Sequence, residues 1–253
     1  MSGKLSVVGI GPGAQGWVTP EATAAIAEAE DIYGYGNYLE RVSLSPRQRT
    51  HKSDNREELD RARAALARAA EGARVVVVSS GDPGVFAMAA AIFEAIEAGP
   101  QDWRRLDVEI LPGLSAMQAA AARLGAPLGH DFCAISLSDN LKPWTIIAQR
   151  LEAAVEGDFV IALYNPASRA RPDRIHDAFA LLKARKAPET PVAFARAVGR
   201  VDEAITLTTL GQADPGLADM ATLVIVGSSK TRLVERGDAR PWMLTPRAYG
   251  GGA

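Results

Sequence analysis

The chain has 253 residues, of which 47% are hydrophobic and 23% charged, and its formal net charge is −2. These values are typical of a globular protein with one large domain or two of ordinary size. The near-neutral charge argues against a broad nucleic-acid-binding surface, which needs a basic excess. A single cysteine, Cys133, excludes an intrachain disulfide and fits a reducing compartment. Because no apolar run approaches the ~20 residues of a membrane helix and no signal-peptide pattern is present, we expect a cytoplasmic protein without a membrane partner.

Strand-like and helical segments alternate through the first part of the chain. The predicted strands cover residues 5–10, 75–78 and 108–111, and the predicted helices cover residues 20–30, 56–70 and 87–98. Thr19 and Pro20 form the expected start of the first helix, as its N-cap and first residue. The run of valines at 75–78 is typical of a strand buried on both faces. This alternation predicts an α/β fold with a mostly parallel, doubly wound sheet.

The pattern changes after the turn residues Pro112 and Gly113. The later predicted helices cover residues 115–124, 144–155 and 174–184, and the later predicted strands cover residues 132–137, 159–163, 192–195, 204–210 and 222–226. The last two strands have no predicted helix between them, which favours antiparallel pairing. We therefore predict two domains, residues 1–113 with the parallel sheet and residues 114–253 with a mixed α/β sheet.

A glycine-rich turn, Gly9-Ile10-Gly11-Pro12-Gly13, follows the first predicted strand directly. Glycines allow a tight turn and a close approach of backbone to ligand. A dinucleotide site requires G-x-G-x-x-G with free amides, but Pro12 has no amide hydrogen and Ala14 stands where the third glycine belongs. The residues alone leave open whether this segment is a ligand loop or a simple turn.

Three further turns carry polar residues at the ends of predicted elements. Ligands of open parallel sheets bind beyond the carboxyl ends of the strands. At such an end, Asp82 either accepts hydrogen bonds from a cationic ligand group or caps the following helix. Ser115 either caps the alanine-rich helix or faces a ligand. Tyr164 and Asn165 precede Pro166, and Asn-Pro is first of all a turn signal.

The chain resembles the tetrapyrrole methylase family in four segments, taken in their order along the chain; they are 9–13, 81–83, 112–116 and 163–166. The similarity extends from residue 5 to about residue 249. Further segments resemble the branch of that family that methylates C17 and contracts the macrocycle; they are 124–132, 135–139, 164–169, 207–211 and 244–249. The resemblance implies a two-domain fold with S-adenosylmethionine bound in the cleft between the domains.

The resemblance also implies the cofactor-binding residues, position by position. They are Pro12, Ser80, Gly81, Asp82, Val85, Ser115, Ala116, Tyr164, Asn165 and Gly199. The family often has methionine at the position of Asn165, so a backbone contact is implied there. Because the sulfonium methyl group is already activated, the enzyme needs no nucleophile and no metal, but it must align the substrate and exclude water.

The implied reaction is C17 methylation of precorrin-3B and ring contraction to precorrin-4, on the route to cobalamin, with S-adenosylhomocysteine released. Ring contraction requires proton transfer to and from oxygen, and the candidates are His130, Asp139 and Asp82. His130 is alternatively an exposed turn histidine. For the substrate, Arg169 is a candidate carboxylate ligand and Tyr35 a candidate aromatic face, although core packing also explains Tyr35.

Other interpretations remain open at this point. The basic stretch 47–56, with His51, is either a carboxylate-binding surface or, as we expect, a solvated loop. The substrate is alternatively the cobalt-factor III of the anaerobic pathway. A nucleotide-binding oxidoreductase is disfavoured by Pro12, and a non-catalytic tetrapyrrole carrier is a third alternative. The resemblance further implies a homodimer, and we expect transient handover of the product to neighbouring pathway enzymes.

Overall fold

The computed structural model describes residues 3–54, 57–168, 171–237 and 239–248. The chain divides into two compact units, Met1–Ala116 and Met117–Ala253. The division falls shortly after Gly113, where the sequence predicted the boundary. Among the described residues, no helix is both long and apolar enough to cross a membrane.

The first unit is built on a five-stranded parallel sheet with the strand order β3-β2-β4-β1-β5. The strands are β1 (Lys4–Gly9), β2 (Asp31–Tyr35), β3 (Arg49–Ser53), β4 (Arg74–Ser79) and β5 (Asp107–Leu111). The helices are α1 (Pro20–Glu28), α2 (Gly36–Leu39), α3 (Glu58–Ala70) and α4 (Met88–Ala98). The predicted parallel α/β sheet is confirmed.

Alternate residues of the central strands pack on opposite faces of this sheet, because side chains of a strand have a period of two. On one face, Val8 of β1 packs in a cluster with Ile26 of α1. On the other face, Val7 packs in a cluster with residues of α3 and with Ile92 of α4. The sheet is therefore doubly wound. Thr19 caps α1, since its hydroxyl accepts the amide of Ala22 at 3.1 Å.

The prediction of a loop is wrong for residues 49–53, which form strand β3, although Arg49 and Lys52 are exposed to solvent as expected. The buried carboxylate of Asp31 explains the strand. It accepts hydrogen bonds from Arg49 at 2.7 Å and from Arg68 of α3 at 2.7 Å, and it contacts His51 Nε2 at 2.8 Å. The His51 ring also stacks on Tyr33, with 4.1 Å between centroids. The basic residues of this stretch therefore hold an edge strand in place.

The second unit contains a mixed five-stranded sheet with the strand order β10-β9-β11-β8-β7. Its strands are β7 (Phe132–Ser136), β8 (Val160–Tyr164), β9 (Pro191–Arg196), β10 (Ala204–Thr209) and β11 (Thr222–Val226). Its helices are α5 (Ala116–Leu124), which begins at the last residue of the first unit, α6 (Trp144–Glu156) and α7 (Arg174–Lys183). β7 and β8 are parallel, and the other pairs are antiparallel. The sequence predicted antiparallel strands at this end of the chain, but β10 and β11 each pair with β9 and not with each other.

A second, three-stranded sheet in this unit was not predicted. It has the order β12-β13-β6 and consists of β6 (Gly125–Ala126), β12 (Arg232–Arg236) and β13 (Ala239–Leu244). Exposed arginines and Pro241 interrupt the apolar alternation of β12 and β13, and β6 has two residues, too few for a pattern.

We expect Asp31 to make the stability of the protein sensitive to acid. Burial raises the pKa of Asp31, but the hydrogen bonds from Arg68, His51 and Arg49 lower it by more than burial raises it. The resulting pKa is about 2. The unfolded value is about 3.9. The stabilisation is therefore complete above about pH 4 and is lost as the pH falls towards 2.

Asp31→Asn should lower the free energy of unfolding at pH 7 by about 2 kcal/mol, because Arg49, Arg68 and His51 lose a buried, charged acceptor. It should also flatten the dependence of stability on pH below about 4. Urea unfolding at several pH values measures both effects. The matched control is Asp60→Asn, since Asp60 is exposed and pairs only weakly with Arg63. Equal losses in the two variants would contradict this account.

Candidate functional site

Three glycines meet at the carboxyl ends of the adjacent strands β4, β1 and β5. A Cβ atom added at Gly9 would lie 2.7 Å from both the amide nitrogen of Gly113 and the carbonyl oxygen of Gly81. A Cβ atom added at Gly113 would overlap the carbonyl oxygen of Gly81. The three loops therefore touch backbone to backbone, and any side chain at Gly9 or Gly113 would push them apart.

The first two loops are also joined by a pair of main-chain hydrogen bonds. The Gly11 amide donates to the Gly81 carbonyl at 3.2 Å, and the Gly81 amide donates to the Gly11 carbonyl at 3.0 Å. Both glycines have φ +67°, a conformation that L side chains rarely adopt. Segment 9–13 is thus a tight turn, and the turn is fixed against the loop that follows β4.

Asp82 ties the second loop to the third. Its Oδ2 accepts the Gly113 amide at 3.0 Å, and its Oδ1 accepts the Gly84 amide at 2.8 Å. The alternative that Asp82 caps the next helix is wrong, because α4 begins at Met88 and its N-cap residue is Ala87. A charged acceptor with two main-chain donors forms strong hydrogen bonds, so Asp82 holds the shape of the glycine loops.

Arg41 is a further residue of this site that the sequence analysis missed. Its Nη2 donates to the carbonyl oxygens of Gly11 at 2.8 Å and Gly13 at 3.2 Å, and lies 3.4 Å from that of Ile10. Its Nη1 donates to the Ser80 hydroxyl at 3.2 Å. No sequence motif marks Arg41, because its partners lie about thirty or more residues away along the chain.

The topology of the sheet explains why these loops meet here. The connection after β1 leads to β2 and the connection after β4 leads to β5, in opposite directions along the sheet. Adjacent strands whose connections run in opposite directions form a switch point, where open α/β sheets bind ligands. Of the other predicted residues in this unit, Pro12 and Ser115 are buried, and the Val85 amide donates to the Asp82 carbonyl at 3.2 Å.

In the second unit, Tyr164 and Asn165 follow β8, as predicted. The Tyr164 hydroxyl accepts the amide of Met117 at 3.0 Å, near the start of α5. The Asn165 side chain donates to the Ser136 hydroxyl at 2.9 Å. This bond uses one of the two Nδ2 hydrogens of Asn165 and fixes the orientation of its side chain.

The turn after β9 contains Gly199, with φ +82°. The Gly199 amide donates to Glu203 at 2.7 Å, and the same carboxylate accepts Arg123 Nε at 2.9 Å. Burial raises the pKa of Glu203, but the Gly199 amide and Arg123 lower it overall, so the carboxylate stays ionised. The Gly199 amide is therefore engaged within the turn.

Strained backbone marks the loops that carry the predicted motifs. Among the described residues, the non-glycine residues with positive φ are Phe86, Asp158, Asn165 and Ala197. Phe86 directly follows segment 80–85, Asn165 lies in segment 164–165, and Ala197 lies in segment 196–200. Asp158 has a separate explanation, because it directly follows the C-cap of α6, where a left-handed residue commonly ends a helix. Such strain costs roughly 1–3 kcal/mol per residue and clusters at functional sites.

The two main proton-transfer candidates differ in their surroundings. Nδ1 of His130, a partly exposed residue, accepts the Asp131 amide at 2.8 Å, which leaves Nε2 to carry the proton of the neutral ring. Asp139 pairs with Arg174 at 2.7 Å and with Arg171 at 3.6 Å. Burial raises the pKa of Asp139, but these arginines lower it overall, so it is ionised near neutral pH and cannot donate a proton.

Of the two candidate substrate-binding residues, the structure describes only Tyr35. Arg169 lies outside the described residues. Tyr35 is partly buried, its ring lies edge-on to Tyr38 at 5.2 Å, and its hydroxyl accepts the Asn37 side chain at 3.1 Å. Burial raises the pKa of the Cys133 thiol to about 11, which excludes a thiolate nucleophile near neutral pH.

The family model of the tetrapyrrole (corrin/porphyrin) methylases matches residues 4–214. A Sinorhizobium protein named precorrin-3B C(17)-methyltransferase is 57% identical over 251 residues, with 99% of both chains covered. A probable cobalt-factor III C(17)-methyltransferase of Salmonella typhimurium is 45% identical, with 97% of this chain and 99% of the relative covered. The crystal structure of the methyltransferase CobJ superposes with a TM-score of 0.91 at 52% identity and covers 97% of this chain and 100% of that one. The chain belongs to the tetrapyrrole methylase family.

Proposed function

We propose that this protein transfers a methyl group from S-adenosylmethionine to C17 of precorrin-3B and promotes ring contraction to precorrin-4 in cobalamin biosynthesis. The observation that carries the proposal is the backbone contact of Gly9, Gly81 and Gly113 at the switch point of a parallel sheet. The 57% identity to a protein named for this reaction supports the choice of substrate.

The donor set of the glycine loops fits a ligand that arrives already activated. The sulfonium group of S-adenosylmethionine supplies an electrophilic methyl group, and S-adenosylhomocysteine is left after transfer. The loops present main-chain groups and small residues, which position a ligand and exclude water without offering a competing nucleophile. The residues that we propose to bind the cofactor are Pro12, Ser80, Gly81, Asp82, Val85, Ser115 and Ala116 of the first unit, and Tyr164, Asn165 and Gly199 of the second.

For ring contraction, we propose that His130 moves the proton. In the structure Nδ1 accepts the Asp131 amide and Nε2 bears the hydrogen of the neutral ring. To donate a proton from Nε2, the ring must first release this bond and take up a second proton at Nδ1. Asp139 is an acceptor at most, and through Arg171 and Arg174 it orders two cationic side chains near the β8 turn. Arg169, close to Arg171 in the chain, remains our proposed ligand of a substrate carboxylate, and Tyr35 our proposed aromatic contact with the macrocycle.

The oligomeric state and the location of the protein are proposals as well. We propose a homodimer, which is the habit of the family, and a cytoplasmic location, which the single cysteine of the chain fits. We further propose transient handover of the product to the next enzyme of the pathway.

Incubation with precorrin-3B and methyl-labelled S-adenosylmethionine should yield a ring-contracted product with one labelled methyl group at C17, together with S-adenosylhomocysteine. NMR of the product locates the label. Cobalt-factor III is assayed in parallel, because the 45% identity to a protein named for that substrate makes it the second candidate. Binding of the tetrapyrrole without labelled product in a single turnover would instead indicate a carrier.

Gly113→Ala should weaken the binding of S-adenosylhomocysteine at least tenfold, because the new methyl group displaces the Gly81 loop. It should also lower the free energy of unfolding by about 2 kcal/mol, the cost of overpacking. Calorimetry and urea unfolding measure the two effects. Gly16→Ala is the matched control, since a Cβ atom there meets nothing within 4 Å. Wild-type affinity in Gly113→Ala would disprove a ligand site at these loops.

Asp82→Ala should weaken S-adenosylhomocysteine binding about tenfold and leave the chain folded, because it frees the Gly84 and Gly113 amides on the loop surface. Asp214→Ala is the control. Asp214 accepts the amide of Gly216 at 2.9 Å in the same kind of turn, but on a surface segment of the second unit. If both variants bind like the wild type, Asp82 has no role in the site.

A further inference from the structure

Arg41 reaches the glycine loops from a neighbouring part of the first unit. It follows the short helix α2, which begins at the carboxyl end of β2, and its own amide donates to the Tyr38 carbonyl at 3.1 Å. The backbone of Arg41 is therefore fixed by the α2 turn, and its side chain extends to the loops that follow β1 and β4.

The guanidinium donates to carbonyl oxygens of the first loop, one of which, that of Gly11, also accepts the Gly81 amide. Pro12 has no amide hydrogen, and the Gly11 amide is already bonded to Gly81. The carbonyls of Gly11 and Gly13 both accept Nη2 of Arg41, at 2.8 and 3.2 Å. Because the carbonyl and amide of one peptide plane point in opposite directions, Arg41 also fixes the direction of the Ala14 amide.

The same guanidinium joins the second loop, since Nη1 donates to the Ser80 hydroxyl at 3.2 Å. Arg41 thus bonds to both loops of the Gly11–Gly81 pairing. It contacts the carbonyl oxygen of Gly11 in the first loop and, in the second loop, the hydroxyl of Ser80, the residue before Gly81. The planar fork of arginine allows these bonds at a fixed spacing, which the single nitrogen of lysine does not.

We propose that Arg41 is a positioning residue of the methyl-donor site, which sets the spacing of loops 10–13 and 80–84 and thereby the affinity for S-adenosylmethionine. This inference rests on the proposed function. Arg41 acts through the two loops and not on the reacting atoms. Its loss therefore raises the KM for the methyl donor and leaves kcat at saturation within about threefold.

The variants are Arg41→Met, which keeps the aliphatic stem, and Arg41→Lys, which keeps the charge and loses the fork. We expect Arg41→Met to weaken S-adenosylhomocysteine binding about tenfold or more, and Arg41→Lys to have an intermediate effect. The control is Arg63→Met, since Arg63 is exposed on α3 and pairs with Asp60 one turn away. Calorimetry gives the affinities, and urea unfolding shows that each variant is folded.

A double-mutant cycle with Ser80→Ala tests whether Arg41 acts through the second loop. Ser80→Ala should weaken ligand binding in the wild type and have little further effect in Arg41→Met. Independently of any ligand, amide hydrogen exchange at Gly11 and Gly81 should be at least tenfold faster in Arg41→Met than in Arg63→Met.

The outcomes separate the two proposals. Faster exchange at Gly11 and Gly81 without S-adenosylhomocysteine binding by the wild type would refute the proposed function and, with it, the role of Arg41 in donor affinity. Binding by the wild type with unchanged affinity in Arg41→Met would overturn the role of Arg41 alone. Additive effects of Arg41→Met and Ser80→Ala would show that Arg41 does not act through Ser80.

Discussion

The close approach of three peptide backbones at the ends of β4, β1 and β5 is the constraint on which the first unit depends. It exists because Gly9 and Gly113 have no Cβ atoms, since an added methyl group at either would overlap a neighbouring loop. Gly81 contributes its carbonyl oxygen and a positive φ that glycine adopts readily. Two charged side chains secure this contact from outside. Asp82 accepts main-chain amides of the second and third loops, and Arg41 donates to main-chain carbonyls of the first loop.

A site of this construction suits methyl transfer from a sulfonium donor. The donor brings its own leaving group, so the protein contributes position and the exclusion of water. The described residues fit that division, because Cys133 is held as a thiol and Asp82 is committed to main-chain amides. Asn165 and Ala197 add strained turns in the second unit, where the backbone is fixed at the expense of local stability.

Local patterns were sufficient for most of the fold and for part of the site. The valines of β4 and the glycines after β1 predicted a buried parallel strand and a tight turn, because each feature depends on neighbouring residues. β3 was missed because its basic residues are stabilised by Asp31, some twenty residues earlier in the chain. Arg41 was missed for the same reason, since its partners come from two other loops.

The chemistry of ring contraction separates the roles of the titratable residues of the second unit. A proton donor must hold its proton near neutral pH, and Asp139 does not, because two arginines keep its pKa below the usual range. His130 Nδ1 accepts the Asp131 amide, so the ring must release that bond and be protonated at both nitrogens before Nε2 can give up a proton. The carboxylate is thus suited to ordering arginines, and His130 remains the residue that we propose to move the proton of ring contraction.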